Sequence, residues 1–89
     1  MTTVLPNRSI VEGTVEEVEG GVARVRVSAT RKAWPYAADL ASHHLDETLE
    51  VRLPSGTVLA AGDEVELECS LSPVEALDLA WVATRATKT

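Results

Sequence analysis

Residues 13–27 read GTVEEVEGGVARVRV, and the Gly20-Gly21 pair at the centre decides how the stretch folds. After the pair, Ala23, Val25 and Val27 alternate with Arg24 and Arg26, which is the period of a strand with one apolar and one charged face. Before it, Val15 and Val18 stand three apart, so strict alternation fails unless a bulge at Glu16-Glu17 absorbs one residue. A Gly-Gly pair supplies the positive φ values of a tight hairpin turn. The stretch therefore predicts two antiparallel strands folded on each other.

Working outward, Leu49, Val51 and Leu53 alternate with Glu50 and Arg52 before the turn Pro54-Ser55-Gly56, a third strand. Val65, Leu67, Cys69 and Leu71 alternate with Glu66, Glu68 and Ser70 behind Ala61-Gly62-Asp63, a fourth. Leu77, Leu79 and Trp81 alternate with Asp78 and Ala80, a fifth. Ser72-Pro73-Val74-Glu75 has the form of a capping box with Pro at the first helical position, so one helical turn at 73–76 is expected to lead into that strand. Between strands two and three lies the insertion 30–46, TRKAWPYAADLASHHLD, where Pro35 is expected to open a short helix carrying Tyr36, Leu40 and His44 on one face. Residues 1–7 and 85–89 read as frayed ends. The expected fold is a single all-β domain over 1–89: a small five-stranded OB-like barrel with one short helix in the loop between strands 2 and 3.

Eighty-nine residues allow one core, and with two Trp, one Tyr and no Phe it must be built from Val, Leu and Ala. Fourteen acids against eight bases give a formal charge of −6, which opposes attraction to phosphate backbones and anionic lipid and disfavours nucleic acid as a partner. Cys69 is the single cysteine, so no internal disulfide can form and a reducing compartment fits. The start, MTTVLPNRS, has no apolar stretch behind a basic one, and no run is long enough to span a bilayer. The expectation is a cytoplasmic protein with no membrane partner.

Candidate chemistry is sparse. His43-His44 with Asp46 and Glu47 has metal-ligand residue types, but adjacent histidines diverge by about 100° on a helix or point to opposite faces of a strand, so a solvated loop is the better reading and no metal is expected. Cys69 has inward parity and reads as a small core residue. No phosphate loop, nucleophile elbow or Cys-x-x-Cys pair is present, so an enzyme is not expected. Arg31, Lys32, Trp34 and Tyr36 form a basic and aromatic patch on an acidic chain. Their expected role is packing at an interface with another subunit or a partner protein.

The ordered pieces GTVEEVEGGVARVRV, LEVRLP and LAAGDEVELECSLSPVEALDLA resemble the transport-associated OB domain, the TOBE or molbindin-like family, over about 11–29 and 49–80. The resemblance implies a five-stranded OB-like unit that packs against a copy of itself and, in some members, holds a small oxyanion such as molybdate between units. It implies Arg8 and Ser9, just before the first strand, and Ser70, in a later strand, as oxyanion contacts at a subunit boundary. No other cofactor is expected. Two further readings stand beside it. One is a structural or adaptor subunit of a larger assembly, for the GGVARVRV run resembles OB-like barrels of phage tails and baseplates. The third is a single-stranded nucleic-acid-binding OB-fold using the basic and aromatic patch.

Overall fold

The computed structural model describes residues 7–75 and 78–89. Five strands are formed: β1 (Ser9–Glu19), β2 (Val22–Lys32), β3 (Thr48–Arg52), β4 (Glu64–Glu75) and β5 (Asp78–Lys88), with one 3-10 helix, Leu40–His44, between β2 and β3. They close into a ring in the order β1-β2-β3-β5-β4, the small OB-like barrel expected from the sequence. All neighbours are antiparallel except β3 and β5, which run parallel and, among the described residues, pair only at Val51↔Trp81 and Arg52↔Val82.

The β1–β2 hairpin turns at Gly20 and Gly21, whose φ values are +59° and +78°. Its register slips between Val15 and Glu17, so Glu16 is the extra residue that lets Val15 and Val18 serve one face. A second slip between Glu12 and Gly13 leaves Ser28 unpaired on β2. Gly13 is obligatory for a different reason: a Cβ there would collide with the carbonyl oxygen of Arg26 and lie 2.8 Å from Cγ1 of Val25.

The interior is filled by the inward rows of the strands, with Val11, Val25, Val51, Leu67 and Cys69 at its centre and Ala41 of the 3-10 helix inserted from one end. Full burial of one such Leu or Val is worth about 1.5–3 kcal/mol. Ile10 lies on the outward row yet is buried; its register partners Arg31 and Glu68 flank it with long side chains whose charged ends are paired elsewhere.

Four expectations change. Residues 73–75 are strand, because pairing of Pro73 with Leu79 and Glu75 with Asp78 outweighs the local capping signal. Residue 76, the end of the expected helical turn, and Leu77, the expected start of the fifth strand, lie outside the described residues. Residues 85–88 are not frayed but continue β5 against β4, from Glu68↔Arg85 to Val65↔Lys88. Asn7 bridges to Ala38, and residues 1–6 of the expected frayed end lie outside the described residues. The helix of the insertion starts at Leu40, not Pro35, so Tyr36 sits in a preceding turn and is exposed rather than on a helical face.

Candidate functional site

The described molecule concentrates its exposed aromatic surface where the insertion leaves the barrel. β2 ends at Lys32, and Ala33 N–H donates to Arg8 O at 3.1 Å while Arg8 N–H donates to Ala38 O at 3.1 Å, so the segment before β1 holds both sides of the 33–38 turn. Within that turn Ala37 N–H closes onto Trp34 O at 3.0 Å. Trp34 is left 38% exposed and Tyr36 79% exposed. The guanidinium of Arg8 stands 5.7 Å from the centroid of the Trp34 ring and 3.6 Å from Glu68 Oε2, so it supports one aromatic face while its own charge is matched.

Behind the turn, the loop is anchored rather than free. Ser9 is buried, and its hydroxyl donates to Asp39 Oδ1 at 2.6 Å while accepting the Ala41 N–H at 3.4 Å. Asp39 in turn caps the 3-10 helix by accepting from Ser42 N–H at 3.2 Å. At the helix end, the His44 ring meets Trp81 edge-on at 5.9 Å and 86°, which ties the insertion to β5.

Ser9 does not share a face with the other two residues implied as oxyanion contacts, for Arg8 reaches Glu68 on the outer side of β4, the side to which Ser70 also turns. Ser9 points inward beside Cys69, its register partner; Ser70, the next residue on β4, alternates to the opposite side and lies 3.0 Å from Ser72 Oγ. Arg8 is occupied by Glu68 and Trp34, and Ser9 by the Asp39 carboxylate. An oxyanion would have to displace a carboxylate from each, in a neighbourhood that is already negative. Of the four interface residues, Trp34 and Tyr36 share the exposed turn and Lys32 adjoins it with no ion pair among the described residues. Arg31 belongs to the barrel wall, bonded to Glu66 Oε1 at 2.8 Å and 3.9 Å from Glu12 Oε1.

Cys69 is buried, and that burial, with the Asp39 carboxylate adding to it and Arg8 opposing, pushes its thiol up to about 12. Nucleophilic cysteines need the opposite shift. His43 is exposed, His44 is taken up by Trp81, and no group of three or more metal-ligating side chains occurs among the described residues. No described helix is long and apolar enough to cross a membrane.

Sequence reasoning singled out Trp34 and Tyr36 as interface residues and Arg8 as an oxyanion contact, but not Asp39 and Glu68, the carboxylates that engage Ser9 and Arg8. Glu68 carried a signal in its outward parity on the fourth strand; Asp39 carried one as the cap residue before Leu40. No protein-family model matches this chain, and neither a curated protein nor a solved structure matches it, so the resemblance to the transport-associated OB domain rests on the strand motifs alone.

Proposed function

We propose that this chain is a non-enzymatic binding module of a protein assembly, docking through Trp34 and Tyr36 onto another protein surface, with a second copy of the chain as the first candidate partner. One observation carries the reading: two of the three aromatic residues stand exposed on a turn that the barrel does not need, and that turn is braced from behind by Arg8 and the Ser9–Asp39 contact. Large aromatics held rigidly at a surface give contact area at small entropic cost. The filled interior and the proton-retaining Cys69 support binding over catalysis. The engaged states of Arg8 and Ser9 favour a protein partner over a small oxyanion.

Hydroxyl-radical footprinting tests this reading with an internal control. Tyr36 should lose reactivity on passing from dilute to concentrated protein, or on adding the partner, while the equally open Val58, 82% exposed in the loop after β3, keeps its own. Unchanged Tyr36 reactivity in an assembled state would remove the proposal.

A further inference from the structure

The barrel wall is incomplete between β3 and β5. Among the described residues, Thr48–Glu50 of β3 pair only with Arg24–Arg26 of β2, and Asp78–Ala80 of β5 pair only with Ser72–Glu75 of β4. Above them the two strands meet at Val51↔Trp81 and Arg52↔Val82; below, pairing between them stops beside an open groove of about 360 Å³, with Leu49, His44, Ala80 and Trp81 among its walls.

Hydrogen-bond direction shows what the groove offers. At either end of β3, Leu53 N–H donates to Gly21 O and Glu47 O accepts from Val27 N–H, so the odd-numbered peptide groups address β2. Of the even ones, those of Thr48 and the N–H of Glu50 turn into the groove, the Glu50 C=O being taken up by the parallel pairing at Val51↔Trp81. On β4, the N–H and C=O of Leu71 bond the Asn7 side chain at 2.6 and 3.2 Å. Directly opposite residues of an antiparallel pair share both bonds or neither, so the backbone groups of Trp81 also turn away from β4, toward β3, and those of Leu79 follow. The outer edge of β4 is thus blunted, by the Asn7 amide at Leu71 and by Pro73, which has no N–H. The β3 and β5 edges facing the groove carry no such guard among the described residues.

We infer that this groove accepts an extended peptide of a partner protein as an added strand between β3 and β5, with apolar and acidic residues alternating along it. Backbone pairing on both sides supplies the affinity. The apolar residues would face Leu49 and Trp81, and the acidic ones Arg52, which lines the groove and forms no ion pair among the described residues, whereas Glu50 is already matched by Arg24 at 3.3 Å. This surface is separate from Trp34 and Tyr36 and does not depend on them.

The test uses capped Val-Glu-Val-Glu-Val-Glu, its Val-Lys counterpart, and a Val-Glu form N-methylated at alternate residues so that one edge cannot donate. Amide resonances of the full chain are followed during titration. The acidic peptide should shift and protect the Thr48, Glu50 and Leu79 amides, the N-methylated form should bind at least tenfold more weakly, and Arg52→Glu should reverse the preference between Glu and Lys peptides. No response at these amides at millimolar peptide, equal binding of the N-methylated form, or shifts confined to 34–38 would each overturn the inference. So would dilution-dependent shifts of the same amides without peptide, which would make the occupant a second copy.

Discussion

The hydroxyl of Ser9 donates to Oδ1 of Asp39 at 2.6 Å, and this single contact joins the first residue of β1 to the cap of the 3-10 helix that fills one end of the barrel. Ser9 is buried, so removing its hydroxyl leaves the Ala41 N–H without its acceptor and takes from Asp39 Oδ1 one of its two donors, the Ser42 N–H remaining. Ser9→Ala should cost about 1–3 kcal/mol in urea denaturation. Ser28→Ala, at an exposed bulge residue, should change stability by less than about 0.5 kcal/mol. Equal effects would mean that the insertion is not held through Ser9.

The register of β4 places Leu67 in the core and Glu66 on the wall. Leu67→Ala should therefore cost about 2–5 kcal/mol, because a fully buried side chain leaves a cavity. Glu66→Ala should cost no more than about 1 kcal/mol, the scale of an exposed ion pair with Arg31. Chemical denaturation of the two variants decides between this register and its one-residue slip.

How much of this was legible follows from where bulges fall. The bulge at Glu16 was readable because Val15 and Val18 flank it closely and a Gly-Gly turn fixes the frame. The extent of β5 was not. Its register slips between Glu68 and Cys69, leaving Thr84 extra, so the core-facing row passes from Trp81 and Ala83 to Ala86 and the sequence loses its period of two. Thr84 makes up for the missing pair by donating its hydroxyl to Glu68 O at 3.2 Å. At the candidate site, Trp34 and Tyr36 were visible as aromatics in a segment the barrel does not use. The carboxylates that engage Arg8 and Ser9 were not, since those contacts join residues 30 and 60 positions apart.

The buried Cys69 thiol adds its own contribution to the pH dependence of stability in alkali. Burial raises its value from 9.0 to about 12 in the folded chain, so the unfolded chain releases the proton first as pH rises. The stabilisation is therefore complete below about 9 and is lost progressively between about 9 and about 12. The stability difference between wild type and Cys69→Ala, read from urea midpoints, should shrink across that window. Parallel curves for the two proteins would show that the thiol does not titrate as its burial requires.

Gly13 sits where two strand backbones press together. Gly13→Ala should destabilise by about 1–3 kcal/mol, the scale of overpacking, since the new methyl meets the backbone of Arg26, which cannot swing aside, as well as Cγ1 of Val25. Gly56→Ala has open space around it and pays only for its φ of +82°, so its loss should be about 1–2 kcal/mol. Thermal melts of both variants separate the steric cost from the conformational one.

The docking role of the 33–38 turn is tested most directly by sedimentation equilibrium of wild type and of the Trp34→Ala/Tyr36→Ala double variant, each across a wide concentration range and with any co-purified partner. Both side chains are exposed, so the double variant should keep the β signal in circular dichroism and its melting behaviour. The predicted result is a wild type that forms a larger species and a double variant that stays at the mass of one chain, 9.5 kDa. A wild type of that mass at every concentration with no partner bound, or a double variant that assembles as wild type does, would contradict it.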